Sequence, residues 1–396
     1  MNKLTPETIA QIGHELNALE LNVVNGWDKL YPNLYTMLHD IVTTESAQSR
    51  WGVPAVAIQF KGNESDGING YCLSTGAMQI NFGAALLRNV LLEETQLEDV
   101  PKDIDAAYEE LTTKVSQEIE HTCQEMVSKA KEELDAHENN VVNNWNILYP
   151  HLFTMLNKIV VPICVKASLP SIPAIAVLFT GAPRHNAMAV IYTNGSRQLN
   201  IGSDLMRTML FQASSEDSDD LFRQFQWVIA HEIGHFADPI FQKYAQFSSL
   251  FVVLNLTAQL ILTAGVAAMF LPMVFSHTLV ALAPNLIATG CIVMLIHQCV
   301  LMILHRKFEY AADATSVRLL ENFIPEDAQM ALTFMNDKVA QDLFCHLPKT
   351  KNNLVIKAYN GCYKKIRWSW ASRLHPAPER RINLLKKAFE LKSESK

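Results

Sequence analysis

A chain of 396 residues with 40 acidic against 33 basic side chains is long enough for two domains, and its formal charge of −7 excludes a general nucleic-acid binder. Seven cysteines, odd in number and scattered without metal-type pairing, suit a reducing compartment and argue against a disulfide framework. The opening Met1-Asn-Lys-Leu-Thr-Pro6 carries no apolar signal region, so the first segment is expected to stay cytosolic.

The first elements belong to an internal repeat. Asn22-Val-Val-Asn-Gly-Trp27, Leu30-Tyr-Pro32 and Thr36-Met-Leu38 recur as Asn140-Val-Val-Asn-Asn-Trp145, Leu148-Tyr-Pro150 and Thr154-Met-Leu156. Pro54-Ala-Val-Ala-Ile-Gln-Phe60 recurs as Pro173-Ala-Ile-Ala-Val-Leu-Phe179, and Gln79-Ile-Asn-Phe-Gly83 as Gln198-Leu-Asn-Ile-Gly202. Identities in this order at a nearly constant offset mark a duplication. Each copy is predicted to hold an amphipathic helix, two or three short strands and a second helix. In the first copy the region from about Asp103 to Lys131 is acidic and helical, with His121 and Glu125 a turn apart on an expected solvated face. Residues 1–120 are therefore expected to form a degenerate, non-catalytic αβα module that binds substrate or a partner, or serves as a regulatory cap. Residues 121–396 are expected to form the second domain.

In the second copy, apolar residues Leu221, Phe222, Phe225, Val228, Ile229, Ile233 and Phe236 repeat at three- and four-residue steps, which predicts a helix with one buried face. The acidic, Ser-rich stretch Ser214-Ser-Glu-Asp-Ser-Asp-Asp220 supplies its start, and Pro239 ends or kinks it. On that helix His231-Glu-Ile-Gly-His235 projects two imidazoles from one face at metal-chelating distance. Glu232 lies between them, placed to take a proton from a metal-bound water. One large class of zinc hydrolases continues this motif with Gly three residues and His six residues after the second histidine. Asp238 and Phe241 occupy those positions, so that class is excluded.

From Tyr244 to His305 there is no Asp, Glu, Lys or Arg. Two apolar runs, near Leu250 to Phe270 and Leu279 to Leu304, each exceed the roughly 20 residues that cross a hydrocarbon core. They predict a two-helix membrane hairpin over about 248–304. A buried hairpin in a soluble domain is the alternative, to which Asn255, Gln259, His297 and Gln298 lend weight. Within a membrane those four would hydrogen-bond between helices or line a path for substrate. Lys243, Arg306 and Lys307 flank the outer ends and the connecting turn has no basic residue, which puts the flanking parts in the cytosol.

A catalytic zinc needs three protein ligands and an open position. The third is sought on a second helix, in Arg306-Lys-Phe-Glu-Tyr-Ala-Ala-Asp313, where Glu309 and Asp313 share a face. One carboxylate would bind metal while the other orients a ligand histidine. The bland alternative is a solvated charged helix start. Two crossings return this segment to the side of His231 and His235; one would strand it across the bilayer.

His231-Glu-x-x-His235, then Arg306-x-x-Glu309-x-x-x-Asp313, then His375-Pro376 with Arg381-Ile382 and Leu385, resemble three ordered blocks of the membrane zinc endopeptidases that include HtpX and the CAAX prenyl proteases. Asn186-Ala-Met-Ala189 and Gln198-Leu-Asn-Ile-Gly202 resemble the strand region of that family, and the resemblance covers roughly residues 140 to 390. It implies an α+β, mainly helical chain: a zincin-like metalloprotease domain with a small antiparallel sheet and a transmembrane hairpin, behind the duplicated module. It implies one Zn2+ per chain on His231, His235 and Glu309, with Glu232 as general base and later acid. Asp313 would orient a ligand, His375 would lie near the site as an oxyanion stabiliser, and Arg381 would be mainly structural. Asn186, Ala187, Met188 and Ala189 would form the substrate-binding edge.

The expected function is hydrolysis of peptide bonds by a multi-pass integral membrane endopeptidase with its catalytic side in the cytosol. Its partners would be a peptide substrate and membrane lipid. A catalytically silent zinc-binding membrane protein acting as a partner-binding module is the alternative. The family carries membrane helices ahead of its metal motif where this chain carries a soluble half-copy, which leaves its natural substrate open.

Overall fold

A computed structural model describes residues 6–17, 27–47, 51–59, 67–93, 100–101, 104–136, 145–180, 182–211, 218–270, 277–321, 323–334 and 378–394. The chain is mainly helical and forms two compact units, Met1–His137 with Asn144–Lys158, and Glu138–Asn143 with Ile159–Lys396.

The first unit holds α1 (Pro6–Asn17), α2 (Trp27–Leu30), α3 (Pro32–Ser46), β1 (Ala55–Gln59), β2 (Ile68–Cys72), β3 (Met78–Gly83), α4 (Ala84–Leu91), the two-residue strands β4 (Leu92–Glu93) and β5 (Val100–Pro101), α5 (Ile104–Asp135), α6 (Trp145–Leu148) and the start of α7 (Pro150–Lys166). Leu34, Leu38 and Ile41 of α3, Ile80 and Phe82 of β3, Leu87 of α4, and Leu111 and Val115 of α5 make its core. The prolines at the starts of α3 and α7 suit a helix's first turn, where their missing N–H leaves no bond unmade. The next amides are capped from a distance. Asn33 and Leu34 donate to the Glu15 carboxylate at 3.2 and 2.7 Å, and His151 and Leu152 donate to Glu133 at 3.3 and 2.8 Å.

The second unit continues α7 and adds β6 (Ala174–Leu178), β7 (Ala187–Ile191), β8 (Arg197–Gly202), α8 (Ser203–Met206), α9 (Ser218–Ala237), α10 (Pro239–Gln246), α11 (Ser248–Phe270), α12 (His277–Leu319) and α13 (Pro378–Glu394). Its sheet has the order β6-β8-β7, matching β1-β3-β2 in the first unit. The expected antiparallel sheet is corrected: β6 pairs parallel with β8, and only β7 runs antiparallel to it. The apolar strand carrying Leu199 and Ile201, fully buried, takes the middle, and the more exposed β7 is left at the edge. The duplication extends to atomic detail. Gly76 and Gly195 both take positive φ, 79° and 83°, in turns where each donates its N–H to the carbonyl three residues back, a conformation that favours glycine. Gln79 Nε2 donates to Asn81 Oδ1, and Gln198 Nε2 to Asn200 Oδ1, both at 2.6 Å.

Asp219 and Asp220 stand in the first turn of α9, where carboxylates suit the helix dipole, and Arg223 ties that turn to Asp327 at 2.8 Å. Pro239 does end α9: Asp238 caps the new helix α10 by accepting the Ile240 N–H at 2.8 Å. Helices α11 and α12 contain stretches long and apolar enough to cross a membrane, Ser248–Met269 and Ala281–Leu319, with mean hydropathies of 2.0 and 2.3. Only 11% and 6% of their most apolar windows are buried, which is unlike the core hairpin of a soluble domain. Gly290 lets them approach, since a Cβ there would meet Leu262 N and Cβ at 3.0 Å. Helix α12 then runs unbroken from the apolar hairpin through Glu309 and Asp313.

Candidate metal centre

The one-sided apolar pattern of α9 buries Phe225, Val228, Ile229, Ile233 and Phe236 and carries His231, Glu232 and His235 inward with them. The ligand atoms of these three lie within 4.8 Å of one another, and all three residues are buried. Helix α12 brings Glu309 and Asp313, both buried, against the histidines. His231 Nε2 is 3.5 Å from Glu309 Oε2, and His235 Nε2 is 3.9 Å from Glu309 Oε1. His231 Nδ1 pairs instead with Asp313 Oδ1 at 2.9 Å. The two carboxylates thus divide by position: Glu309 faces both Nε2 atoms, and Asp313 holds the far nitrogen of one ring. Ligands at about 2.0–2.1 Å from a tetrahedral zinc would lie about 3.4 Å apart, so this donor set and its spacing fit such an ion.

Close approach of α12 depends on Gly234. A Cβ there would sit 2.9 Å from the Cα and carbonyl oxygen of Ala312. Gly234→Val is therefore expected to push the helices apart, destabilise the fold by about 1–3 kcal/mol and lower metal affinity, read by thermal melting and metal titration.

Arg381 of α13, expected to be mainly structural, reaches into the site and holds its carboxylates. It is buried, donates from Nε and Nη2 to Asp313 at 2.8 and 2.7 Å, and places Nη1 2.9 Å from Glu309 Oε2. Unlike Arg381, Trp227 and Phe241 are not among the site residues expected from the sequence. The Trp227 ring stacks on His231 at 5.4 Å and 28°, and Phe241 lies 5.0 Å from the His235 ring. Phe241 thus fills by ring packing the position where the excluded zinc class carries a ligand. For Gly234 the signal was readable, because a glycine inside a helix often marks close backbone approach. Trp227 is one turn before His231, also a readable cue. His375 lies outside the described residues.

Burial drives the charges. It pushes the Glu232 carboxyl up to about 7, with His231 and the Ala189 N–H opposing. Burial likewise pulls His235 down to about 3, and His231 and Arg381 reinforce the fall. The resulting neutral imidazole is the form that binds metal. His231 is buried too, but hydrogen bonds to Asp313 and Glu309 outweigh desolvation and raise it to about 9. A cation favoured by those carboxylates at His231 would replace its proton.

The strand marked for substrate meets this group. Asn186 precedes β7 and its Oδ1 accepts the Ala187 N–H at 2.9 Å; Met188 is exposed. The Ala189 N–H donates to Glu232 Oε2 at 2.6 Å. With Asn186 and Gly202 hydrogen-bonded across the ladder, the backbone groups of Ala187, Ala189 and Ile191 face the open edge.

The first unit repeats this contact with no counterpart of His231. Gly70 N–H donates to Glu118 Oε2 at 3.0 Å from the equivalent strand position. Gln117-Glu118-Ile119-Glu120-His121 therefore stands where α9 has His231-Glu232-Ile233-Gly234-His235. His121 is exposed as expected, but Glu125 is not simply solvated. It accepts the Cys72 N–H at 3.4 Å and pairs with Lys129, whose Nζ donates to the Cys72 carbonyl at 3.1 Å. The same α5 bears Glu133, the counterpart of Glu15. One helix thus closes the first copy and opens the second, and residue 120 falls inside it.

Two inward histidines with a glutamate between them, opposed by a carboxylate from a second helix, define a metallopeptidase type of centre. The family model for peptidase family M48 matches residues 150–388. The chain belongs to peptidase family M48, the family of HtpX and the CAAX prenyl proteases. No curated protein and no solved structure matches it.

Proposed function

We propose that the chain is a zinc-dependent endopeptidase of zincin-like fold, integral to a membrane through the α11–α12 hairpin, with its active side in the cytosol. The observation that supports this best is the position of Glu232, buried beside both histidines and hydrogen-bonded to the edge strand. His231, His235 and Glu309 would hold zinc, and Asp313 fixes His231 by its Nδ1. When bound, zinc supplies Lewis-acid chemistry, acidifying water and polarising the scissile carbonyl. Glu232 takes the proton from the attacking water and passes it to the leaving amine nitrogen. His375 is assigned to the oxyanion on the family resemblance alone.

An extended peptide would lie along β7, pairing with the edge carbonyls of Ala187 and Ala189 and with the backbone of Ile191, since the Ala187 and Ala189 N–H groups already donate to Asn186 and Glu232. That mode reads backbone more than side chains and favours unfolded segments. The first copy, with Gln117 and Glu120 at the positions of His231 and Gly234, is the non-catalytic module. Beyond the Glu118 contact, which matches that of Glu232, its corresponding edge is also met by Glu125 and Lys129, which bond the N–H and carbonyl of Cys72. Lys243, Arg306 and Lys307 support the cytosolic orientation, and lipid would cover the exposed faces of the hairpin.

The test is cleavage of an unfolded protein by the detergent-purified chain. Activity lost on chelation and regained with zinc is expected. Undiminished cleavage in chelator would contradict the reading, and no cleavage by zinc-loaded protein would favour the silent partner-binding alternative.

A further inference from the structure

The two histidines of α9 are held in different ways. His231 is oriented by a hydrogen bond, its Nδ1 lying 2.9 Å from Asp313 Oδ1. His235 Nδ1 is buried and has no hydrogen-bond partner among the described residues. Ligand histidines are commonly fixed through that second nitrogen. Here rings do the fixing. His235 meets His231 edge-on at 4.8 Å and 81°, and Phe241 at 5.0 Å and 36°. Phe241 is itself held edge-on by Phe308, at 5.2 Å and 81°, and Phe308 lies 5.3 Å from Tyr244. Tyr244 lies 5.3 Å from Phe251, in the first turn of α11. The series passes through α10, whose first turn is pinned by the Asp238 cap and by Gln242 Nε2 donating to the Phe236 carbonyl at 2.6 Å.

We propose that Phe241 is the positioning residue of His235, and that Phe308, Tyr244 and Phe251 tie that ring to the foot of the membrane hairpin. Metal affinity is then governed partly by how the hairpin seats on α10. Packing rather than hydrogen bonding sets the plane of His235, so shape at residue 241 matters and polarity matters little. This rests on the zinc reading above, and the experiment separates the two.

Zinc affinity by chelator competition, and the absorption spectrum of the cobalt(II)-substituted protein, are measured on the full chain in detergent. Phe241→Leu is expected to weaken zinc binding about 10-fold and to change the cobalt bands, as loss of a ligand's orienting partner does. Phe241→Tyr keeps the ring and is expected to restore both. Tyr244→Leu and Phe251→Leu, farther along, should weaken binding in the same direction by less. Parent-like affinity and cobalt spectrum in Phe241→Leu would overturn the proposal while leaving the zinc site standing. If Phe241→Leu does not fold, Phe241→Met decides by the same two readouts. A parent that binds neither metal would overturn the zinc reading and this inference together.

Discussion

Glu232→Gln is expected to lower kcat/KM by about 10²–10⁴-fold while metal content stays at the parent level. Glutamine keeps the shape of the side chain and an oxygen that can accept the Ala189 N–H, so the fold of the site persists. What it loses is the basic carboxylate, and with it the proton's route from water to leaving amine. The same assignment fixes a sign for pH dependence. A general base works in its deprotonated form, so activity should rise with pH through the pKa of Glu232. Burial sets that value at about 7, and a nearby divalent cation would draw it lower, placing the acid limb at or below about pH 7. Near-parent activity in the glutamine variant would refute the base assignment.

Arg381→Met is expected to destabilise the second unit by about 3–5 kcal/mol, because it leaves buried carboxylates without their cation. Asp313 loses two hydrogen bonds and Glu309 loses its closest guanidinium nitrogen. The melting temperature should fall by roughly 10 °C. Metal binding should weaken as well, since the Asp313 carboxylate that orients His231 is no longer held. Arg381→Lys should recover only part of this, because an ammonium cannot make the two-pronged contact. A melting temperature unchanged in Arg381→Met would show that the network contributes little to the fold.

The parts legible in the sequence were those written locally. Apolar spacing along Leu221 to Phe236 predicted α9 and its inward motif, and the uncharged interval from Tyr244 to His305 predicted two spanning-length helices. Repeated identities revealed the duplication because both copies kept their turn and strand residues. Less legible was whatever depends on elements distant in the chain. A parallel β6–β8 pair cannot be told from an antiparallel one by alternation within each strand. Arg381 sits among basic residues of a polar helix, and its sequence does not disclose that Asp313, 68 residues earlier, and Glu309 on the same helix are its partners. The sharing of α5 by both copies was hidden because Glu118 and Glu133 look like ordinary surface acids until their amide partners are known. Gln117 to His121 preserves three of the five metal-motif residues. The changes at its first and fourth positions conceal the alignment that the Gly70 contact establishes.

The most direct test of the central claim is metal content of the detergent-purified chain beside His235→Ala and Glu309→Ala. One zinc per parent chain, lost in both variants, is the predicted result. No zinc in the parent even after reconstitution, or zinc retained without Glu309, would contradict the three-ligand site.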